Sequence, residues 1–232
     1  MHDNRMTTEI LTIDKGQCLT DVLPAIPANT IFDKTITGCG ATHSEIVNAA
    51  RHSIIIEPNI PVILGKKAEH PFLFAVYEGI TKEDVKAYLA GEHDGYRKII
   101  TTPEGFDKKV LPAMHELEIP VYKDYFLLFD ECEKAIQDVG YRGDIYLPVE
   151  DFFKFENKAM VSATPIVPSD PRFEENGFKI LKLVPTYDSR IELTLCTTNN
   201  TVAVMRKLLK RLENETVCVF LNSTETILSL IY

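Results

Sequence analysis

The stretch YFLLFDECE, residues 125–133, decides the fold. Its first five residues are apolar or aromatic throughout, which is typical of a strand buried on both faces, as in a parallel sheet covered by helices. The run ends abruptly in two carboxylates, Asp130 and Glu131. Because parallel sheets bind ligands at the carboxyl ends of their strands, the stretch predicts a site at this edge. Taken alone, the acidic pair is equally compatible with the solvated start of a helix.

The same pattern recurs along the chain. Short apolar runs also occur at residues 30–35, 53–57, 71–77, 97–101 and 160–162. Between the runs lie longer stretches with apolar residues at helical spacing, at 44–51, 81–90, 106–117 and 131–139. Buried strands that alternate with helices are typical of a parallel sheet covered on both faces. The sequence therefore predicts an α/β fold with a mostly parallel sheet flanked by helices.

The composition is that of an ordinary globular protein and excludes several classes. The 232 residues carry a net charge of -9, which argues against nucleic-acid binding through a broad basic surface. The 5 cysteines are scattered, which excludes a disulfide framework and a zinc site of Cys-x-x-Cys spacing. No apolar run approaches the ~20 residues of a membrane span. These features favour a reduced, cytoplasmic setting without a membrane partner.

Residues 34–43, KTITGCGATH, connect a predicted strand to a predicted helix. A phosphate-binding loop needs small residues, so that backbone N–H groups face the phosphates, and a hydroxyl for magnesium. Gly38 and Gly40 meet the first need, and Thr42 meets the second. The lysine usual in such loops is missing, because Ala41 stands in its place. Taken alone, a Gly-x-Gly turn is also compatible with a plain strand-to-helix connection.

A third stretch, VSATP at residues 161–165, again ends a strand in small hydroxyl residues. In this order the three stretches resemble the first RecA-like domain of a superfamily 2 helicase or translocase of the DEAD/DEAH type, a P-loop NTPase. The similar segments are residues 35–42 (motif I), 55–63 (Ia), 101–105 (Ib), 130–133 (II), 162–164 (III) and 219–223 (IV). The TGxGAT form of motif I is also similar to helicase-like proteins of phages and mobile elements.

The resemblance implies ATP and Mg²⁺ as cofactors and nucleic acid, DNA or RNA, as a sequence-independent partner. The residues it implies for nucleotide binding are Thr37, Gly38, Cys39, Gly40, Ala41, Thr42 and His43. Thr42 and Asp130 would hold the magnesium, and Glu131 would be the catalytic carboxylate. The residues it implies for coupling to a second domain are Ser162, Ala163 and Thr164. Those it implies for the nucleic-acid backbone are Pro58, Asn59, Thr102, Pro103, Glu104 and Gly105.

Two departures from the family pattern bear on activity. Ala41 removes the cation that normally neutralises the β- and γ-phosphates. Lys34, at the end of the preceding strand, is a candidate substitute, as in some phage packaging ATPases; the alternative is a strand-end lysine with its head in water. The family's arginine fingers, which belong to the second domain, have no counterpart here. We therefore expect this chain by itself to bind nucleotide weakly and to hydrolyse it slowly.

The predicted organisation is a first RecA-like motor domain at residues 1–165, a linker at 166–177 and the start of a second RecA-like domain at 178–232. The leading hypothesis is a nucleic-acid-dependent NTPase of the helicase or translocase type that needs its second motor domain in cis. The alternative is a catalytically inactive, helicase-like module that binds nucleic acid or a protein partner. A packaging-type ATPase is a third possibility if Lys34 contacts the phosphates.

Overall fold

A computed structural model describes residues 6–132, 149–164, 170–188 and 195–212, together with the single positions 219, 227 and 228. The chain divides into two compact units, Met1–Ser189 and Arg190–Tyr232. The candidate site lies in the first unit. Within the described residues, no helix combines the length and apolar character that a membrane crossing requires.

The first unit is built on one eight-stranded sheet in which every neighbouring pair of strands is parallel. The strands are β1 (Thr8–Ile13), β2 (Thr30–Asp33), β3 (His52–Ile56), β4 (Phe74–Val76), β5 (Lys98–Thr101), β6 (Tyr125–Phe129), β7 (Asn157–Ser162) and β8 (Lys179–Pro185). Their order in the sheet is β1-β8-β2-β7-β6-β3-β5-β4. Strands β2, β7, β6 and β3 are therefore consecutive neighbours.

Helices connect the strands. They are α1 (Leu19–Val22), α2 (Ala41–Val47), α3 (Ile60–Glu69), α4 (Lys82–Ala90), α5 (Pro103–Gly105), α6 (Leu111–Glu116), α7 (Val121–Asp124), α8 (Val149–Lys154) and α9 (Pro171–Glu175), with a π-helical turn at Phe106–Val110 between α5 and α6. In the second unit, α10 spans Thr201–Arg211. Helix α4 begins at a capping box, because the hydroxyl of Thr81 accepts a hydrogen bond from the backbone N–H of Asp84 at 3.2 Å.

Apolar side chains of the central strands fill two cores, one on each face of the sheet. On β6, Leu127 and Phe129 belong to one core, and Phe126 and Leu128 belong to the other. All five residues of β6 are buried. Successive side chains of a strand point to opposite faces, so a strand covered on both sides must be apolar at every position. This requirement explains why the apolar run at 125–129 predicted a buried strand from the sequence alone.

The structure confirms the predicted α/β fold, and each of the six apolar runs overlaps a strand. Strand β1 and helix α3 are additional elements that the apolar pattern had not indicated. Four of the six residues of β1 are exposed, as expected at the edge of a sheet, so its sequence does not read as a buried run. Of the helix predicted at 131–139, only its first two residues are described.

Strand β8 belongs to the first sheet, beyond the domain boundary that the sequence predicted. Its residues had been assigned to the second domain, but β8 pairs with β1 from Ile180 to Pro185 and with β2 from Lys179 to Lys182. It therefore completes the first sheet, and burial of Leu181 and Leu183 beside β2 gives the physical reason. The division between the units follows Ser189 instead of residue 177. Motif IV, predicted at 219–223, lies outside the described residues except for Val219.

Candidate nucleotide-binding site

A cavity of about 230 Å³ opens at the carboxyl edge of the sheet, where β2, β3 and β6 end. Its described lining residues are Lys34, Gly38, Cys39, Gly40, Ala41, Thr42, His43, Glu57, Val62, Lys66, Asp130 and Glu131. Six of the seven residues predicted to bind nucleotide belong to this set. The seventh, Thr37, is exposed at the start of the loop. The fold thus brings the glycine loop and the acidic pair to one place.

The glycine loop leads directly from β2 into α2. Gly38 and Gly40 have φ angles of 74° and 87°, in the left-handed region that favours glycine. An added Cβ at either position would meet open space, so the backbone conformation, and not crowding, requires glycine there. Gly40 is the N-cap of α2, and its carbonyl accepts a hydrogen bond from the backbone N–H of Ser44 at 2.8 Å. The loop is therefore shaped by its glycines to face the cavity.

Asp130 joins the loop to the end of β6. Its Oδ2 accepts a hydrogen bond from the hydroxyl of Thr42, and its Oδ1 forms an ion pair with Lys34 Nζ at 3.1 Å. The backbone N–H of Glu131 also donates to Oδ1, at 2.9 Å. Asp130 is only 2% exposed, so these contacts compensate for the burial of its charge. The hydroxyl and carboxylate predicted to share a magnesium ion thus lie in direct contact.

Lys34 points into this cluster, not into bulk water. Its side chain is 13% exposed. Burial by itself lowers the pKa of the Lys34 ammonium, but the charge and hydrogen bond of Asp130 outweigh burial, and the pKa is raised. Lys34 is therefore a cation at neutral pH. The alternative interpretation, a strand-end lysine with a solvated head, is wrong, whereas contact with phosphate stays a prediction.

Glu131 is held by a side chain from the end of β3. The Nδ2 group of Asn59 donates to Glu131 Oε2 at 2.8 Å and to Glu57 Oε1 at 2.9 Å. The backbone N–H of Asn59 also donates to Glu57 Oε1, at 2.8 Å. Glu131 has a φ of 47°, which is unusual for a residue with a side chain. Asn59, predicted to contact nucleic acid, here connects two carboxylates of the cavity.

Glu57 is a site residue that the sequence analysis missed. It lines the cavity and is 2% exposed. Burial, together with the negative charge of Asp130, raises the pKa of Glu57 to about 7. The signal was present in the sequence, because Glu57 follows a run of three isoleucines just as Asp130 follows the apolar run of β6. A carboxylate directly after a buried strand indicates the same edge of the sheet in both cases.

Two further site residues, Val62 and Lys66, come from α3. No signal in the sequence indicated them, because α3 itself was not predicted. At the nearby end of α3, His70 lies beside His43, with His43 Nδ1 and His70 Nε2 3.2 Å apart. Burial lowers the pKa of His70, and the neighbouring His43 acts in the same direction. Helix α3 thus forms one wall of the cavity.

Motif III lies between the strands that carry the glycine loop and the acidic pair. Ser162 is the last residue of β7, which pairs with β2 on one side and with β6 on the other. Its carbonyl accepts from the backbone N–H of Lys34, and its hydroxyl accepts from the backbone N–H of Thr164, each at 2.9 Å. Ala163 is half-buried and Thr164 is exposed. The predicted coupling segment therefore contacts the start of the glycine loop.

The segments predicted to bind nucleic acid follow β3 and β5, which are neighbours in the sheet. In the second segment Thr102, Pro103 and Gly105 are buried and Glu104 is exposed. The Thr102 hydroxyl caps α5 by accepting from the backbone N–H of Gly105 at 3.0 Å. Pro58 and Asn59 are half-buried. The two segments share one edge of the sheet, and Glu104 is the member of the second segment that solvent reaches.

Oxygen atoms dominate the ligands that the cavity offers a cation. Among the described residues, no group of three or more His, Cys, Asp or Glu side chains is arranged to hold a metal ion. Mg²⁺ does not need such a group, because it is usually bound by one or two carboxylates, together with waters and substrate phosphates. The contact between the Thr42 hydroxyl and Asp130 places two hard oxygen donors close enough to share one ion. These residues fit magnesium.

Comparison with known proteins supports the fold. No family model matches the sequence, and no curated protein matches it. Among solved structures, the DUF1998 helicase MrfA is similar with a TM-score of 0.58 and 15% sequence identity, over 88% of this chain and 35% of that chain. The helicase domain of Pyrococcus furiosus Hef aligns with a TM-score of 0.43 and 12% identity, over 97% of this chain and 49% of that chain, and the score is too low to carry an argument.

The chain thus spans about a third of the length of the first of these helicases. The parallel strand order, the glycine loop after β2 and the acidic pair after β6 occupy the places expected of a RecA-like domain. At this level of identity the similarity bears on architecture alone. The parallel α/β fold of this chain is similar to part of the helicase MrfA and is consistent with a RecA-like domain.

Proposed function

We propose that this chain binds a magnesium–nucleoside triphosphate and is a motor domain of a nucleic-acid-dependent NTPase of the helicase or translocase type. One observation carries the proposal: Thr42 and Asp130 are 88 residues apart in the chain and in hydrogen-bond contact at the mouth of a glycine-lined cavity. A hydroxyl and a buried carboxylate beside a glycine loop are the groups that position magnesium and phosphates in P-loop NTPases.

Each group has a chemical role in this proposal. The backbone of the loop around Gly38 and Gly40 would surround the phosphates, while Thr42 and Asp130 would hold Mg²⁺. When bound, Mg²⁺ supplies positive charge to the phosphate oxygens. Glu131 orients the attacking water or accepts its proton. The amide of Asn59 fixes the direction of the Glu131 carboxylate through the hydrogen bond at 2.8 Å.

Lys34 is the proposed substitute for the lysine that motif I lacks. Ala41, at the usual position of that lysine, is 4% exposed and contributes no charge. Lys34 Nζ lies 3.1 Å from Asp130 and lines the same cavity as the loop. A phosphate bound in the cavity would offer this ammonium a second anionic partner. This role is the one that would favour a packaging-type ATPase over a helicase.

The proposed action on nucleic acid rests on the resemblance to DEAD/DEAH-type proteins. It also rests on the fold shared with MrfA, which is described as a helicase. Segments 58–59 and 102–105 lie at one edge of the sheet. The half-buried residues Pro58 and Asn59 would meet the nucleic-acid backbone without reading its sequence, whereas Thr102, Pro103 and Gly105 are buried and could contribute only by supporting that edge. Ser162, which contacts the start of the glycine loop, would transmit the nucleotide state to a second motor domain in cis.

A specific observation favours a second candidate, a helicase-like module that binds partners without catalysis. The loop lacks its lysine, and the buried ammonium nearest the loop, Lys34, is already paired with Asp130. Loss of a cation at the developing phosphate charge costs on the order of 10²–10³ in rate. A fold kept for binding would tolerate this loss, whereas a motor needs a replacement.

Titration with a fluorescent ATP analogue, with Mg²⁺ or with EDTA, tests the proposal. The wild-type chain should bind in a magnesium-dependent manner, and Asp130→Asn should lose that dependence. Asp107→Asn is the control, because Asp107 is exposed on the π-helical turn. Absence of wild-type binding at millimolar nucleotide would favour the inactive module. Phosphate release that increases on addition of nucleic acid would favour the motor.

A further inference from the structure

Helix α3 supplies a second lysine to the cavity. Val62 and Lys66 are four residues apart on this helix and both line the cavity, because residues at that spacing share one face. The next residue, Lys67, lies on a different face, and its Nζ donates to the carbonyl of Pro71 at 2.7 Å. Of two adjacent lysines, one therefore lines the candidate nucleotide site and the other is tied to the chain after α3.

The charges around the cavity show why a second lysine matters. Among the described lining residues, the carboxylates are Glu57, Asp130 and Glu131, and the lysines are Lys34 and Lys66. Lys34 is shared with Asp130 at 3.1 Å. A polyphosphate that enters this cavity brings several more negative charges. Positive charge beyond that of Lys34 and of the bound Mg²⁺ therefore favours its binding, and among the described lining residues Lys66 is the second lysine that can supply it.

Lys66 is held by a contact that a phosphate can replace. Its Nζ lies 2.9 Å from Glu69, and the Glu69 side chain is 60% exposed. An ion pair with so exposed a carboxylate contributes little to stability, so little is lost when it breaks. The flexible four-carbon stem of lysine allows the ammonium to turn from Glu69 toward the cavity. The Lys66 side chain is itself partly buried, at 25% exposure.

We propose that Lys66 is a phosphate-binding residue, which adds from α3 a second cation to the one that Lys34 supplies from the end of β2. The inference rests on the proposed function, since it assigns a ligand group to the same site. The ligand is a nucleoside triphosphate with its magnesium. Lys34 and Lys66 line the same cavity but come from different elements. Lys34 lies between β2 and the glycine loop, and Lys66 lies on α3, which follows β3.

The test compares the affinities of full-length variants for a fluorescent ATP analogue with Mg²⁺. Lys66→Ala should bind about 10- to 100-fold more weakly than wild type, the range expected for loss of one charge-assisted hydrogen bond. Lys66→Arg should stay within about threefold of wild type, because it keeps the charge. Lys67→Ala is the matched control, since it removes the same charge one residue away, and it should bind like wild type.

Glu69→Gln gives an independent readout. It removes the competing partner of Lys66 without removing the lysine, so its affinity should equal or exceed that of wild type. The thermal melting temperature of nucleotide-free Lys66→Ala should match that of wild type, because the ion pair is on the surface.

Equal binding by wild type and Lys66→Ala would overturn the assignment while leaving nucleotide binding intact. An equal loss in Lys66→Ala and Lys67→Ala would also overturn it, because the effect would then reflect general charge. Failure of the wild-type chain to bind nucleotide would instead overturn the proposed function, and the assignment with it.

Discussion

Replacement of Glu57 by glutamine should make the protein more stable at neutral and alkaline pH. Glu57 is 2% exposed, and its pKa is raised to about 7 from an ordinary value of 4.5, chiefly by burial and next by the charge of Asp130. A glutamine side chain would keep an oxygen to accept both hydrogen bonds that Asn59 donates to Oε1. The substitution thus removes the buried charge and leaves the local contacts in place.

The sign of the pH dependence follows from the raised pKa. Between pH 4.5 and pH 7 the folded protein holds a proton on Glu57 that the unfolded chain has released. Stability from this group is therefore present at low pH and is lost as the pH rises through 7. The separation of the two pKa values, 4.5 and about 7, corresponds to about 3 kcal/mol. The variant Glu57→Gln has no such proton to lose. As the pH rises from below 4.5 to above 7, its free energy of unfolding minus that of wild type should therefore increase by up to this amount.

Urea unfolding followed by circular dichroism, at pH 5, 6, 7 and 8 with EDTA, measures this difference directly. Titrating groups distant from Glu57 affect both proteins alike, so the difference between the two curves reports on Glu57 together with the carboxylates coupled to it, Asp130 and Glu131. A difference that stays constant from pH 5 to pH 8 would refute the reasoning, because it would mean that Glu57 is ionised in the folded state across this range. The same variant should bind nucleotide if Glu57 contributes only to the wall of the cavity.

Two further predictions concern packing around the site. Glu45→Ala should lower the free energy of unfolding by about 3–5 kcal/mol in urea, because Lys98, 3% exposed and 3.6 Å from Glu45, loses its carboxylate and keeps the neutral Ser53 hydroxyl at 2.8 Å. Arg51, which donates to Glu45 at 3.1 Å, loses the same carboxylate, and a loss of stability below about 1 kcal/mol would contradict the prediction. Gly105→Ala should cost about 1–3 kcal/mol, since its Cβ would lie 2.5 Å from Thr101 Oγ1 and 3.2 Å from the carbonyl of Val76. Gly65→Ala, inside α3 with open space around its Cβ, is the control and should raise the melting temperature through helix propensity.

Much of the fold could be predicted because a strand buried on both faces of a sheet needs a continuous apolar run in the sequence. Strands β2, β3, β5 and β6 are covered on both sides, so every position must be compatible with burial. Strand β1 escaped prediction because most of its side chains are exposed at the edge of the sheet. The position of β8 also escaped, because strand order depends on pairing between segments distant in the chain.

The residues of the candidate site likewise fall into those that the sequence could indicate and those that it could not. The glycine loop and the pair Asp130 and Glu131 each carry a local signature, a turn that needs positive φ or a carboxylate directly after an apolar run. Glu57 carried the same signature and was overlooked. Lys66 carried none, since its place in the cavity wall depends on the direction in which α3 crosses the cavity.

The sequence by itself determined the class of fold and the chemistry at the ends of two strands, because periodicity and local turn geometry are properties of neighbouring residues. Only the tertiary structure decided that Lys34 and Thr42 both contact Asp130, that Asn59 joins two carboxylates, and that β8 belongs to the first sheet. Those contacts join residues far apart in the chain. They depend on which strands become neighbours and on how a helix crosses them, which no local pattern specifies.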